Sequence, residues 1–225
     1  MRTLSVWIAV MALSAVVLDA SPAFASMQDD VDQAASIIER FQAVPEKAIP
    51  RAVLRDARGL AIMTVIKGAF GLSGQGGAGV VVARTRHGWS GPSAIGTGGA
   101  GFGFQIGGEV TEFVMILNTD AAVQAFSRDV NVTLGGDISV AAGPIGRTAS
   151  AAITPVAAIY TYSRSQGLFA GISLGGTVIG VRNDANAEYY GRRVTPAEIL
   201  SGQVPPPPGA KRLLQALSRQ ASMKR

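Results

Sequence analysis

The 225-residue sequence contains no cysteine and a single histidine, His87. Without cysteine the chain has no disulfide, no thiol nucleophile, no thiolate metal ligand and no cysteine that carries a lipid anchor. With one imidazole it also has almost no material for a transition-metal site. These absences exclude several enzyme and metalloprotein classes, and they are compatible with a soluble or peripheral protein outside the cytosol.

The apolar run near the N-terminus is too short to cross a bilayer. Residues 6–18 form a run of about 13 residues, whereas a membrane span needs roughly 20. Arg2 precedes the run, and residues 23–25 place small side chains where a signal peptidase cuts. We therefore expect residues 1–25 to be a signal peptide, with an uncleaved anchor as the alternative. The mature protein, beginning near Ser26, is expected to be exported, either periplasmic or secreted, and peripheral on a membrane.

Charged residues make up 16% of the sequence, and basic ones outnumber acidic ones. The formal net charge is +5 and the isoelectric point is about 10.0. Removal of residues 1–25 leaves the charge unchanged, because Arg2 and Asp19 are lost together. A basic exported protein is attracted to anionic phospholipid, and nucleic acid is not expected as a partner. A charge that serves only solubility is the alternative.

The mature chain of about 200 residues has the length of one domain. We assign residues 26–204 to this domain, the four prolines at 205–208 to a stiff linker, and residues 209–225 to a basic amphipathic tail. On a helix, the leucines of the tail lie on one side, which would contact either a membrane surface or the domain itself. These are Leu213, Leu214 and Leu217.

Two helices are predicted near the start of the mature chain. Residues 27–44 carry apolar side chains at helical spacing, with acidic residues at the N-terminal end, where they complement the helix dipole. Pro50 is well placed to begin a second helix that runs through Arg58. Its basic residues recur at spacings of four and three on one face: Arg51, Arg55 and Arg58. This face is either a binding surface or simply the solvated side of a helix that buries Val53, Leu54 and Ala57.

Glycine is abundant, with 28 residues, and many lie inside apolar segments rich in β-branched residues. Such segments predict strands, and glycine inside a strand marks a bulge, a tight bend or a close approach of backbones. We therefore expect an α+β fold with a glycine-rich, strongly curved antiparallel sheet or partial barrel, and with helices at the N- and C-terminal ends. The strand-like segments are 60–66, 78–84, 89–95, 101–107, 110–117, 137–142, 159–163, 167–174 and 177–182.

Local signals predict further features between and after the strands. Residues 119–130 have the apolar spacing of a helix. Thr195 and Glu198 have the spacing of a capping box, which predicts a helix through Leu200. The polar residues at 183–188 predict a turn between two strands, since they fit no calcium-binding loop of established ligand spacing.

Three glycine motifs match functional patterns but lack the required context. Residues 74–79 and 96–101 match G-x-G-x-x-G, yet strand-like residues follow them instead of the helix whose N-terminus binds a pyrophosphate. Residues 171–175 match the G-x-S-x-G nucleophile elbow, yet no histidine follows them. Glu109 and Glu112 differ in parity on one strand, so they do not form a carboxylate pair. We therefore predict a protein that is not an enzyme and that has neither a cofactor nor a metal site.

Several long motifs, in consistent order, resemble those of SYLF domains, and the resemblance extends from about Val31 to Leu217. The motifs are 88–95 (GWSGPSAI), 113–119 (FVMILNT), 134–147 (LGGDISVAAGPIGR), 162–171 (YSRSQGLFAG) and 189–191 (YYG). The resemblance implies a non-catalytic domain that binds membranes, with phosphoinositides as the ligand in eukaryotic members. It also implies actin as a further partner in the yeast-type branch.

The resemblance implies where lipid is bound. In SYLF domains the lipid contact is attributed to a basic, amphipathic N-terminal region, which matches residues 49–60 here and leads into Lys67. Arg58 stands where the family usually has a lysine, so the charge is retained. The lipid-binding residues predicted in this way are Arg51, Arg55, Arg58 and Lys67.

The predicted function is peripheral docking of an exported, bacterial-type SYLF domain on anionic phospholipid. Actin is not expected as a partner, because Asp29, Asp30 and Asp32 occupy a region where eukaryotic members often carry lysines, and because an exported protein does not meet cytosolic actin. A cell-envelope module that binds a protein partner or has a structural role is the alternative. An enzyme would require a deep cleft lined by Asp137, Arg147 or Tyr162.

Overall fold

The computed structural model describes residues 26–43, 49–144, 157–167 and 177–222. The expected signal peptide, most of the strand predicted at 167–174, the G-x-S-x-G match and Arg147 lie outside these ranges. The helices and strands are, in chain order, α1 (Met27–Gln42), α2 (Arg51–Asp56), β1 (Gly59–Thr85), β2 (Gly88–Trp89), β3 (Ser93–Leu117), α3 (Asp120–Ser127), β4 (Val132–Thr133), β5 (Val140–Ala142), β6 (Ile159–Gly167), β7 (Val178–Val181), α4 (Asn183–Tyr190), α5 (Pro196–Leu200), a short 3₁₀ turn (Pro208–Ala210) and α6 (Lys211–Ser222).

Helix α1 begins at a reciprocal cap. The Oγ of Ser26 accepts a 3.2 Å hydrogen bond from the backbone N–H of Asp29, and the Asp29 carboxylate accepts a 3.1 Å bond from the N–H of Ser26. These bonds satisfy N–H groups that have no partner within the helix. The apolar positions predicted from helical spacing are buried: Val31, Ala34, Ala35, Ile38 and Phe41.

Helix α2 is shorter than predicted. It ends at Asp56, because Ala57 adopts an extended conformation with ψ of 133°. Arg58 therefore lies beyond the helix, where its N–H donates a 2.8 Å hydrogen bond to the carbonyl oxygen of Leu117. The apolar side of this segment is buried as predicted: Val53, Leu54 and Ala57.

Strands β1 and β3 form one long antiparallel ribbon. Their register runs from the pair Gly59 and Leu117 to the pair Val81 and Ser93, with one shift next to Phe70. The segments predicted at 60–66 and 78–84 are therefore one continuous strand, and those at 101–107 and 110–117 are another. This is possible because the hydrogen bonds of a β-ladder join backbone groups and do not depend on side chains. The segment predicted at 89–95 is interrupted at residues 90–92 and divided between β2 and β3.

The two G-x-G-x-x-G matches lie opposite each other in this ribbon. Gly76 pairs with Gly98, and Gly77 pairs with Thr97. Both matches are strand from end to end and neither is followed by a helix. The strand context predicted for these motifs is confirmed, and no helix N-terminus is available there for a pyrophosphate.

The remaining strands extend the ribbon into a sheet. The strand order is β2-β1-β3-β6-β5, while β7 pairs with β3 and with β4. The pairs are antiparallel except for β5 and β6, which are parallel. The ribbon of β1 and β3 therefore forms the centre of the sheet, and its curvature determines the shape of the domain.

The ribbon curls back on itself at two glycines. A Cβ atom on Gly79 would lie 2.1 Å from the carbonyl oxygen of Ile62 and 2.5 Å from the Cα of Met63. A Cβ atom on Gly77 would lie 2.8 Å from the carbonyl oxygen of Thr64. The second half of β1 thus crosses the first half at backbone contact, which a side chain would prevent. The sheet is a strongly curled, open half-barrel with helices from both ends of the chain, so the predicted fold class is confirmed.

Each face of the sheet contributes to a hydrophobic core of its own, and the side chains of a strand alternate between the two cores. Even-numbered positions of β1 and β3 pack under α1, α2 and α6, and odd-numbered positions pack against α3 and α5. The even-numbered core includes Leu60, Ile62, Val80, Val82, Val114 and Ile116. The odd-numbered core includes Met63, Val81, Phe113, Met115, Phe126 and Leu200.

The turn predicted at 183–188 is wrong, because these residues belong to helix α4. Asn186 is fully buried, and its Oδ1 accepts a 2.7 Å hydrogen bond from the N–H of Ala94. Its Nδ2 donates a 3.2 Å hydrogen bond to the Oγ of Ser93. A polar residue thus occupies an inward position of the helix, and the sequence lacks the apolar periodicity that would have indicated α4.

The C-terminal tail docks on the domain, which resolves the two alternatives that its leucines left open. Leu213 is fully buried and Leu217 is 2% exposed, both in the even-numbered core. Helix α6 packs there against α1 and α2. Its apolar side is therefore occupied by the protein itself.

Candidate functional site

Helix α2 presents two arginines to solvent. Arg51 and Arg55 are exposed, while the opposite side of the helix packs on α6 and the core. The Nε of Arg55 donates a 2.8 Å hydrogen bond to the carboxylate of Asp56, and this bond lowers the pKa of Asp56 below its usual value. Both partners are two-thirds exposed, so the pair contributes little stability.

Arg58 is held beside the end of β1. Its carbonyl oxygen accepts a 2.7 Å hydrogen bond from the N–H of Arg84. Its side chain is exposed and lies 3.7 Å from the carboxylate of Asp120 at the start of α3. Three of the four predicted lipid-binding residues therefore lie together, at the end of the sheet where β1 both begins and ends.

Two further arginines lie at this end of the sheet. The guanidinium of Arg84 lies 3.9 Å from the centre of the Trp89 ring, and its Nη2 donates a 3.5 Å hydrogen bond to the carbonyl oxygen of Leu54 in α2. Partial burial lowers the pKa of Arg84 from its usual value. Arg86 is exposed in the turn between β1 and β2. We call this group the basic end: Arg51, Arg55, Arg58, Arg84 and Arg86.

Sequence reasoning missed Arg84 and Arg86. The segment 84–88 is a basic turn at the end of a strand, and this local signal is visible in the sequence. Its proximity to residues 51–58 is not visible, because it depends on the hydrogen bond between Arg84 and Arg58 and on the curvature of the strand between them.

Lys67 does not belong to the basic end. It follows Arg58 on a regular stretch of β1, where a strand rises about 3.3 Å per residue, so the two lie roughly 30 Å apart along the chain. Its cross-strand partner is Glu109. The structure therefore separates Lys67 from the three arginines with which it was grouped, and its contribution to lipid binding stays a prediction.

The two glutamates of β3 face opposite sides of the sheet, as predicted. Glu109 is 2% exposed, and its carboxylate accepts a 3.2 Å hydrogen bond from the Oγ1 of Thr111. Glu112 forms an ion pair with Arg40 of α1. Each carboxylate therefore has its own structural partner, and the two do not form a catalytic pair.

An enzyme would require a deep cleft lined by Asp137, Arg147 or Tyr162. The two of these residues that the structure describes, Asp137 and Tyr162, both have structural partners. The carboxylate of Asp137 accepts a 2.7 Å hydrogen bond from the N–H of Thr133 in an exposed turn. The hydroxyl of Tyr162 donates a 3.0 Å hydrogen bond to the carbonyl oxygen of Pro144, and burial raises the pKa of Tyr162 above its usual value. Within the described ranges, no three histidine, aspartate or glutamate side chains are grouped as metal ligands.

A cleft of about 770 Å³ opens next to the basic end. One wall is the turn between β1 and β2, with Arg84, Arg86 and Trp89. The other wall comes from residues 200–206 and from α6.

In the part of the chain that the structure describes, no helix is long and apolar enough to span a membrane.

The fold and the site define a class of protein: an α+β domain built on a curled half-barrel, with arginines gathered at one end of its sheet. A family model described as "Ysc84: Las17-binding protein actin regulator" matches residues 98–220, which is more than half of the chain. The chain belongs to this family, the Ysc84 or SYLF-domain family, and the resemblance inferred from the sequence motifs is confirmed.

Curated relatives extend the similarity to most of the chain. LAS seventeen-binding protein 3 of Saccharomyces cerevisiae is 45% identical over 206 residues, which cover 87% of this chain and 45% of the yeast protein. SH3 domain-containing YSC84-like protein 1 of Homo sapiens is 42% identical over 205 residues, which cover 88% of this chain and 60% of the human protein. The chain thus spans about half the length of these relatives, which are named as binding or regulatory proteins and not as enzymes.

Proposed function

We propose that this domain docks peripherally on anionic phospholipid through its basic end. The observation that carries the proposal is the convergence of five arginines from two separate segments of the chain, 51–58 and 84–86. Among the described residues, carboxylates pair with two of them, Arg55 and Arg58. A net positive charge therefore remains at this end, and each basic group near an anionic membrane contributes about 1 kcal/mol of attraction.

The positions of these arginines suit a flat, charged surface. Arg51, Arg55, Arg58 and Arg86 are exposed, so they reach lipid head groups without any rearrangement of the domain. Helix α2 carries two of them and is itself fixed to the domain by buried Val53 and Leu54. A rigid helix with a basic outer side loses little conformational entropy on binding.

The proposal includes the location of the protein. Residues 1–25 have the pattern of a signal peptide, which supports export to the periplasm or the medium. The membrane met there offers anionic phospholipid in general, and phosphoinositide binding is the property implied for eukaryotic relatives. We therefore propose anionic phospholipid as the ligand of this bacterial-type member, with no enzymatic step.

Co-sedimentation with vesicles tests the proposal. The protein is expected to bind vesicles that contain phosphatidylglycerol at low salt, to ignore vesicles of phosphatidylcholine alone, and to dissociate as the salt concentration rises. If the protein fails to bind anionic vesicles at low salt, the proposal is wrong.

The names of the relatives favour a second candidate, a protein-binding module. The family description refers to Las17 binding and to actin regulation, and the yeast relative is named for binding of LAS seventeen. The expectation that actin is not a partner therefore has no support from the comparisons. This candidate is favoured if variants without the arginines of the basic end still bind a protein partner. If those variants lose both the protein partner and the vesicles, the partner and the membrane bind the same surface.

A further inference from the structure

The cleft beside the basic end contains a cation whose hydrogen-bonding capacity is largely unused. The guanidinium carbon of Arg84 lies over the Trp89 ring, 3.9 Å from the ring centre. A guanidinium has five N–H groups, and its contact with the ring uses none of them as a donor to an oxygen acceptor. The contact found among the described residues is one long hydrogen bond, 3.5 Å, to the carbonyl oxygen of Leu54.

Arg84 also lacks an acidic partner among the described residues. Burial without a counter-charge disfavours the cation, which is why its pKa is lowered. A partly buried guanidinium with unused donors binds an anion more strongly than an exposed one, because water competes less. Trp89 adds a second unused donor, since its buried Nε1 has no acceptor in the described part of the chain.

The charged and titratable groups that line the cleft are all basic. It contains Arg84, Arg86 and His87, the only histidine of the sequence, and it contains no aspartate or glutamate. The clefts beside α1 differ, since one is lined by Asp29 and Asp30 and the other by Asp184 and Glu188. The volume of about 770 Å³ accommodates a phosphate together with the group that bears it.

Several hydroxyl groups of the cleft are engaged in its own framework. The Oγ1 of Thr85 donates to the carbonyl oxygen of Gly88 at 3.0 Å and accepts from the N–H of His87 at 3.2 Å. The Oγ of Ser90 donates to the carbonyl oxygen of Gly91 at 2.8 Å. These bonds hold the turn in place, so the hydroxyl groups of Thr85 and Ser90 already have partners within the protein.

We infer that this cleft binds a phosphate group, with the edge of the Arg84 guanidinium as its main ligand and Arg86 at the rim. The planar fork of an arginine matches two phosphate oxygens at once. The group belongs either to a phosphomonoester lipid head group or to a soluble phosphate compound. The lipid source rests on the proposed function, whereas the site itself does not.

Tryptophan emission of the full chain tests the site with inorganic phosphate as the probe. A saturable change is expected for the native protein, because phosphate moves or neutralises the guanidinium over the ring. The change should need about tenfold more phosphate in Arg84→Gln. Arg84→Lys retains the charge and the aliphatic stem but lacks the fork, so it should fold normally and still bind phosphate more weakly. Arg164→Gln removes an exposed arginine outside the cleft and should bind like the native protein.

A vesicle experiment distinguishes the two sources. Vesicles with phosphatidic acid, a phosphomonoester, are compared with vesicles of phosphatidylglycerol at equal surface charge. A preference for phosphatidic acid that Arg84→Gln abolishes assigns the lipid source, and a response to inorganic phosphate alone assigns the soluble source. The site is overturned if Arg84→Gln and the native protein respond equally in both experiments. It is also overturned if the native protein neither binds inorganic phosphate nor prefers phosphatidic acid. Binding of phosphate without binding of any vesicle would sustain the site and contradict the proposed function. Equal binding of both vesicle types by the native protein, unchanged in Arg84→Gln and with no response to inorganic phosphate, would overturn the site and sustain the proposed function.

Discussion

The backbone N–H of Arg84 donates a 2.7 Å hydrogen bond to the carbonyl oxygen of Arg58. This bond joins the two ends of β1, which meet because the strand between them crosses itself at Gly77 and Gly79. It brings the arginines of segment 51–58 next to the arginines of the turn after β1. The basic end therefore exists only because β1 curls back on itself.

The double substitution Arg51→Gln and Arg55→Gln should weaken binding to phosphatidylglycerol vesicles about thirtyfold at low salt, since two basic groups near the membrane are lost. Co-sedimentation at increasing lipid concentration measures the change. The matched control, Arg128→Gln with Arg164→Gln, removes two exposed cations that do not belong to the basic end and should change binding much less. Equal losses in both double variants would show that only net charge matters and would contradict docking through the basic end.

Gly79→Ala should destabilise the fold by more than about 2 kcal/mol, because the new Cβ would lie 2.1 Å from the carbonyl oxygen of Ile62. Urea unfolding measures the free energy. Gly76→Ala is the matched control, since a Cβ there meets no atom within 4 Å and alanine is at least as favourable as glycine in a strand. If the two variants unfold at the same urea concentration, the two halves of β1 do not cross as described.

Leu213→Ala should lower the free energy of unfolding by about 2 to 5 kcal/mol, because the side chain is fully buried in the even-numbered core. Leu214→Ala, at a partly exposed position, should cost clearly less. Thermal or urea unfolding in the absence of lipid provides the comparison. An unchanged stability of Leu213→Ala would mean that the tail is not docked in solution and is available to a membrane.

Asp30 should make the stability of the protein depend on pH in a defined direction. Its carboxylate lies 2.7 Å from the guanidinium of Arg182, yet burial outweighs this ion pair and raises the pKa of Asp30 from 3.8 to about 6. A folded-state pKa above the unfolded-state value means that the folded protein binds the proton more tightly. The resulting stabilisation is complete below about pH 3.8 and is lost as the pH rises through about 6.

Asp30→Asn removes this titration while keeping an oxygen that accepts from Arg182. The difference in unfolding free energy between native protein and variant should therefore change between about pH 4 and pH 7 and be constant above that range. Urea unfolding at a series of pH values measures it, and carbon-13 NMR of the Asp30 carboxyl gives the pKa directly. A difference that does not vary with pH would contradict the raised pKa.

Features governed by neighbouring residues were predictable. The capping box of Thr195 and Glu198 is present, with a 2.7 Å hydrogen bond from the N–H of Thr195 to the Glu198 carboxylate. Helix α1 and most strand segments follow from the spacing of apolar residues. The opposite orientation of Glu109 and Glu112 follows from parity alone. Each of these depends on interactions within about four residues along the chain.

Features that depend on a buried polar contact were not predictable. Helix α4 was predicted as a turn because Asn186, which completes the hydrogen bonding of Ala94 and Ser93, interrupts its apolar pattern.

The length of β1 and β3 was not predictable either, since glycine-rich stretches have no side-chain pattern that distinguishes a strand from a loop.

The sequence by itself determined the family, the α+β class, the helical ends and the basic character of segment 51–58. Only the tertiary structure decided which basic residues act together: it added Arg84 and Arg86 and separated Lys67. It also placed Leu213 and Leu217 of the tail in the core. The physical reason is that periodicity and capping act over a few residues, whereas these contacts depend on the register of two long strands and on the crossing of β1 at glycines.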